Sequence, residues 1–227
     1  MLYAISDRGL YAEKNADALR RLVELAAMWA ANGVSFIQIR EKDLPAGEQV
    51  DLARAVIRAV RRVNGKTNAT RVLIHGRADV ALASGAHGVH LPSGDDALTP
   101  EEIRSIFRSA GQSQPAVISV SCHTIEEVML ARQGSPDCIL FAPVFEKVIR
   151  ERHIGSDPEE NRSGSLKLPG TGLALLKQAC RAAAPVPVFA LGGANAENAA
   201  DCRRAGAAGI AAIRLMQEPV SSWKHLV

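Results

Sequence analysis

The sequence predicts a single parallel (β/α)8 barrel. Three features carry that prediction. Short aliphatic runs alternate with helical stretches along the whole chain, the hydrophobic content is almost wholly aliphatic, and polar residues gather at the C-terminal ends of the runs. Of the 227 residues 47% are hydrophobic but only 4% aromatic, which suits parallel strands buried on both faces. One chain of this length fills one domain, 1–227.

The runs that read as strands are Leu2–Ser6, Val34–Ile39, Val72–His75, Gly88–Leu91, Val117–Val120, Cys138–Phe141, Val186–Leu191 and Gly209–Ile213. Each is brief and β-branched or aliphatic, as buried strands are. Between the first two, Leu19, Leu22, Val23 and Ala26 recur at helical spacing, with Arg20, Arg21 and Glu24 facing away. This predicts a helix over Ala16–Ala31 that stops at Asn32-Gly33. A second helix is expected over about Ala46–Val63, with Ala53, Val56, Ile57 and Val60 inward. A strand-helix order repeated eight times implies right-handed crossovers and closure. An open doubly wound sheet is the rival, but no GxGxxG follows the first strand. After Gln217 little chain remains, so the last helix is expected to be short.

One segment departs from the rhythm. Glu146–Pro169 is rich in charge, Ser and Gly without periodicity. It reads as a long polar, mobile loop over the C-terminal face, either a lid or a solvated insertion.

The net charge of +3, with both signs mixed along the chain, suits a small anionic ligand and gives no reason to invoke nucleic acid or a membrane. Cys122, Cys138, Cys180 and Cys202 have no CxxC spacing, so reduced, mostly buried thiols are expected. Asp7 and Arg8 interrupt any signal-peptide core, and a cytoplasmic protein is expected. The oligomeric state stays open, a homo-oligomer included.

In a barrel, residues at the C-terminal ends of strands share one mouth. Here they are Ser6-Asp7, then Gln38, Arg40, Glu41 and Lys42, then His75, His90, Ser121 with His123, and Gly192-Gly193. Alternation aims Gln38, Arg40 and Lys42 one way and Ile39 and Glu41 the other; the first three could clamp a diphosphate, or Arg40–Glu41 could be a surface ion pair. Leu191-Gly192-Gly193 leads toward a helix expected at about Asn195, its N-cap. Glycine turns and a helix N-terminus suit a phosphate monoester, with Arg214 close by.

The motifs Ile5-Ser6-Asp7-Arg8, Gln38-Ile39-Arg40-Glu41-Lys42, Arg77-Ala78-Asp79-Val80-Ala81-Leu82, Gly88-Val89-His90-Leu91, Val120-Ser121-Cys122-His123-Thr124, Phe141-Ala142-Pro143-Val144-Phe145 and Leu191-Gly192-Gly193 together resemble the thiamine phosphate synthase/TenI family. They span nearly the whole chain except Glu146–Pro169. The synthases of that family join a pyrimidine diphosphate to a thiazole phosphate with Mg2+, releasing pyrophosphate. The TenI relatives include a thiazole tautomerase and proteins of regulatory character. The resemblance implies that Gln38, Arg40 and Lys42 hold the diphosphate. It implies further that Ser121 lies beside the reacting centre, and that Gly172, Gly192, Gly193 and the backbone near Ile213 cradle the thiazole phosphate.

The chain departs from the synthase pattern where that pattern has Asn-Asp, the Asp a Mg2+ ligand: here stand His75 and Gly76. Asp95 and Asp96, in Pro92-Ser93-Gly94-Asp95-Asp96, are the candidate metal ligands. Glu146-Lys147 replaces the Pro-Thr stretch of the synthases. Gly76-Arg77 and Leu91-Pro92-Ser93-Gly94 look like the TenI branch, yet Pro143 stands where the tautomerase has its acid/base histidine. His123 or His75 are the candidates for that role. A TenI-like enzyme without a cofactor is the leading expectation. A Mg2+-dependent synthase and a non-catalytic phosphate-ligand binder are the alternatives.

Overall fold

The computed structural model describes residues 1–11, 16–65, 69–94, 97–150 and 165–227. All eight expected strands are present: β1 (Leu2–Ile5), β2 (Phe36–Ile39), β3 (Arg71–His75), β4 (Gly88–Leu91), β5 (Val117–Cys122), β6 (Cys138–Phe141), β9 (Val188–Ala190) and β10 (Gly209–Ala212). They close into one barrel in the order β1-β10-β9-β6-β5-β4-β3-β2, every pair parallel. The helices on the outside are α1 (Ala16–Ala31), α2 (Ala46–Asn64), α3 (Ala78–Ser84), α4 (Pro100–Ser109), α5 (Ile125–Gln133), α6 (Gly172–Ala183) and α7 (Ala199–Arg204).

Alternation along the strands divides the apolar residues into two layers. Leu2, Ala4, Ile37, Ile39, Val72 and Ile74 face the helices, whereas Tyr3, Ile5, Leu73, Cys138, Leu140, Phe189 and Ala211 fill the barrel. Few as they are, three aromatic rings meet inside. Tyr3 stacks on Phe36 at 5.4 Å, and Phe189 meets both edge-on at 5.8 and 5.7 Å. They form a rigid floor beneath the polar residues at the mouth.

Helix α1 ends as its sequence predicts, with Gly33 at φ 85° and Val34 N–H donating to Trp29 C=O. Trp29 is fully buried and donates from Nε1 to Met216 C=O at 2.9 Å. That bond ties α1 to the segment after β10. There the expected short last helix is replaced by three 3-10 turns, Leu215–Gln217, Val220–Ser222 and Lys224–Leu226. Buried Trp223 and Leu226 anchor them.

The segment after β6 differs from its expectation as an aperiodic loop. Its ends form an antiparallel ribbon, β7 (Lys147–Arg150) with β8 (Ser165–Leu168), in the register Lys147↔Leu168 to Arg150↔Ser165. Two four-residue arms hold too few residues to display a period amid charged neighbours. Residues 151–164, and with them the question of a lid, lie outside the described residues.

Candidate functional site

The mouth is built on a buried chain of polar side chains running across the barrel. His75, His90 and Ser119 occupy matched positions on β3, β4 and β5. His90 contacts Ser119 Oγ through Nδ1 at 2.8 Å and Ser121 Oγ through Nε2 at 3.0 Å. Ser119 Oγ lies 2.9 Å from the Tyr3 hydroxyl, which donates to Gln38 Oε1 at 3.1 Å. Gln38 Nε2 meets His75 Nδ1 at 2.9 Å. The His75 and His90 rings then stack, with centroids 5.5 Å apart.

Burial sets the charge of both imidazoles. It pushes His75 down to about 4, helped by the positive charges of Lys42 and Arg40. It pushes His90 down to about 3, with His75, Arg40 and Lys42 acting in the same direction. Both rings are neutral at pH 7.

The end of β2 obeys the predicted alternation. Gln38 turns into the barrel and Ile39 joins the outer core. Glu41 turns away from the mouth and is buried at 5% exposure. It accepts from Ser6 Oγ at 2.6 Å and from Arg8 Nη1 at 3.1 Å, and Arg8 also forks onto Asp43 with two bonds of 2.7 Å. Ser6 Oγ in turn accepts the Arg40 backbone N–H at 2.9 Å. The alternative of a surface pair between Arg40 and Glu41 therefore gives way to Arg8–Glu41. Arg40 and Lys42 have no carboxylate partner among the described residues. Gln38, only 1% exposed with both ends of its amide engaged, positions His75 in this structure and is not free to clamp a diphosphate.

His123 stands apart from the chain. It is exposed at the end of β5, with Nδ1 2.7 Å from Ala142 C=O. A carbonyl can only accept, so Nδ1 is the donor and Nε2 is the nitrogen left for a ligand. His75 is the reverse. With the Gln38 amide oriented so that Oε1 faces Tyr3, its Nε2 donates to His75 Nδ1, which leaves an N–H at His75 Nε2.

The glycine loop serves packing as well as openness. Gly192 and Gly193 have φ of 87° and 65°. A Cβ on Gly192 would lie 2.8 Å from Pro143 Cα, and one on Gly193 2.7 Å from Phe145 Cβ. Leu191 and Gly192 C=O accept from Val144 and Phe145 N–H, so this loop is zipped to the segment after β6. The Gly192 and Gly193 N–H groups have no partner among the described residues.

Two expectations here are corrected. The regular helix starts at Ala199 rather than near Asn195, and it has six residues. Asn195 Oδ1 accepts from Glu197 and Asn198 N–H, and Asn198 Oδ1 from Asn195 N–H, so these donors are already satisfied and form no open anion site. Gly172 N–H likewise donates to Val144 C=O at 2.9 Å, although its φ of 83° still requires glycine. Ile213 packs on the barrel aromatics and Arg214 is exposed beyond β10.

Among the described residues no group of three or more His, Cys, Asp or Glu converges as metal ligands do. Gly76 brings no side chain. Asp79 is held by both arms of Arg77, at 2.8 and 2.6 Å, which pulls its carboxyl down to about 2. Asp95 and Asp96 lie outside the described residues. The sequence gives no role to Tyr3, Ser119 or Arg8 and only a place at the mouth to Ser6; inward alternation on β1 and β5 is the signal available for the first two.

Comparison with known proteins agrees with this architecture. A family model described as thiamine monophosphate synthase matches residues 2–157 and 163–216. A putative thiamine-phosphate synthase of Geobacter sulfurreducens is 35% identical over 215 residues, covering 93% of this chain and 84% of the relative. A thiamine-phosphate synthase of Anaeromyxobacter dehalogenans is 36% identical over 182 residues, 80% of this chain and 69% of the relative. Among solved structures, a thiamine phosphate pyrophosphorylase from Pyrococcus furiosus superposes with a TM-score of 0.70 at 25% identity, covering 99% of this chain and 90% of its own.

Proposed function

Since the chain belongs to the thiamine monophosphate synthase family, we propose that it binds a thiazole phosphate at the barrel mouth and moves a proton on that ring without a metal, as a TenI-type tautomerase does. One observation carries this reading. At the C-terminal mouth, which also carries Arg40 and Lys42, His123 is exposed and its Nδ1 is held by Ala142 C=O at 2.7 Å.

Arg40 and Lys42 attract the anionic ligand, and the free N–H groups of Gly192 and Gly193 suit its phosphate. His123 is the base: its bond to Ala142 C=O fixes the ring, and Nε2 accepts a proton from one carbon of the heterocycle. The imidazolium returns a proton at a second ring position. The product is an isomer, and no oxidant or co-substrate is consumed. His75 Nε2–H and Ser121 Oγ provide hydrogen bonds beside the ring.

The synthase reading keeps two supports: Arg40 and Lys42, without carboxylate partners among the described residues, match a diphosphate, and the relatives above carry the synthase name. Titration calorimetry with thiazole phosphate, with and without Mg2+ and the pyrimidine diphosphate, separates the readings. Micromolar binding of thiazole phosphate indifferent to Mg2+, with base-dependent exchange of a ring proton for deuterium, supports the tautomerase. Pyrimidine diphosphate binding and pyrophosphate release, only with Mg2+, replace it with the synthase. Tight binding without turnover of either substrate set leaves a non-catalytic binder.

A further inference from the structure

The buried chain does more than fill the barrel with satisfied polar groups. Ser121, His90, Ser119, Tyr3, Gln38 and His75 are joined by five contacts of 2.8–3.1 Å in a single line whose two ends, Ser121 Oγ and His75 Nε2, belong to the mouth. Its centre is sealed: Tyr3 and Ser119 are fully buried, Gln38 is 1% exposed and His90 2%.

Count the protons. Both imidazoles are neutral and carry one N–H each, each hydroxyl carries one O–H, and each contact needs one hydrogen. A contact with two hydrogens clashes, and one with none sets two lone pairs against each other in a dry interior. Every contact is filled only when all the donors point the same way. In one sense Ser121 donates to His90 Nε2, His90 Nδ1 to Ser119, Ser119 to Tyr3, Tyr3 to Gln38 Oε1, and the Gln38 amide to His75 Nδ1. Reversal turns the Gln38 amide over and inverts every step.

We propose that Tyr3 and Ser119 are positioning residues that couple His75 to Ser121, so that when one end of the chain presents a hydrogen-bond donor to the mouth the other presents an acceptor. In the first sense His75 offers Nε2–H and Ser121 keeps its oxygen lone pairs free. In the second His75 Nε2 accepts and Ser121 O–H donates. The pair therefore selects a ligand edge with one donor and one acceptor and rejects an edge with two of either. This follows from the barrel interior alone and holds whichever ligand occupies the mouth.

The coupling has a signature in the free protein. The fraction of His75 protonated at Nε2 must equal the fraction of His90 protonated at Nδ1. Nitrogen-15 spectra of the imidazoles at pH 7 read both fractions, because N–H and lone-pair nitrogens are well separated in shift. Equal fractions in the wild type are expected, and unequal ones overturn the proposal without any variant. Tyr3→Phe keeps the ring packing on Phe36 and Phe189 but cuts the chain in the middle. It is expected to shift the nitrogens of at least one ring and to abolish the equality while the melting transition stays cooperative. A Tyr3→Phe protein with all four ring nitrogens unmoved also overturns it; if that variant does not fold, Ser119→Ala, or the wild-type equality alone, decides.

Discussion

His75 and His90 stack across neighbouring strands with their planes 18° from parallel. A charge on His75 opposes one on His90, and burial already holds each of them neutral. A third ring, His87, is pushed down to about 4, chiefly by burial, between α3 and β4.

These three histidines make the fold acid-sensitive. The unfolded chain takes up a proton on each near 6.5, whereas the folded rings resist until about 4 or below. Between those values the unfolded state binds more protons, so stability is complete above about pH 6.5 and falls as the pH drops toward 4. The loss is on the order of a few kcal/mol in total, after discounting the half-buried His75 and His87 for solvent screening. Urea midpoints at pH 7 and pH 5 measure it. His87→Asn, remote from the mouth, is expected to remove about a third of the difference; an unchanged difference refutes the assignment.

Glu41 is the second weak point, for the opposite reason. Burial lifts its carboxyl above the ordinary range even though Ser6 and Arg8 both favour the charged form. Glu41→Ala leaves the Arg8 backbone N–H and Ser6 Oγ without their acceptor, while Arg8 Nη1 keeps only Asp43. Breaking a buried pair from one side costs roughly 3–5 kcal/mol; because Arg8 is partly exposed and retains Asp43, a loss of about 2–3 kcal/mol is expected from denaturant unfolding. The same variant loosens Arg40, whose backbone N–H rests on Ser6, so affinity for an anionic ligand is expected to fall alongside stability.

The contrast between Glu41 and Tyr3 shows what the sequence makes legible. Strand identity, barrel closure and the aim of Gln38 against Glu41 follow from alternation, a local property. That Glu41 would find Arg8 rather than its neighbour Arg40 depends on β1 and β2 lying side by side, which spacing does not state. Tyr3 reads as one more apolar strand residue until Ser119, 116 positions away, meets its hydroxyl. The ribbon arms Lys147–Arg150 and Ser165–Leu168 are not legible because four residues hold too few periods. Asn195 reads as a capping residue, but the turn it caps precedes the regular helix.

Three glycines with positive φ distinguish packing from backbone strain. Gly172→Ala meets open space and bears only the left-handed backbone penalty, roughly 1–2 kcal/mol. Gly192→Ala adds a collision with Pro143 backbone, and Gly193→Ala one with Phe145 Cβ and Glu146 C=O at 2.8 Å. Their expected loss is about 3 kcal/mol or more each, as overpacking adds to strain. Thermal unfolding of the three variants is expected to rank Gly172→Ala well above the other two. Equal losses mean that the loop moves away from Pro143 freely and that the zipped loop described here is not rigid.

The last prediction divides the two histidines that the sequence left as alternatives. His123 is exposed and tethered at Nδ1 by a carbonyl, which leaves Nε2 to a ligand; His75 is a half-buried ring whose conjugate acid is too strong to hold a proton near neutrality. If proton transfer is the reaction, His123→Ala lowers turnover by about 10²–10⁴-fold and leaves thiazole phosphate affinity within about threefold, because a general base acts in the transition state more than in binding. His75→Asn, by contrast, removes a hydrogen bond and a link of the buried chain, and its expected effect is on affinity and selectivity. Calorimetry and single-turnover kinetics on the two variants give the split directly. Loss of turnover with His75→Asn but not with His123→Ala would reverse the roles and require the chain to deliver a proton that a neutral ring of this acidity does not readily hold.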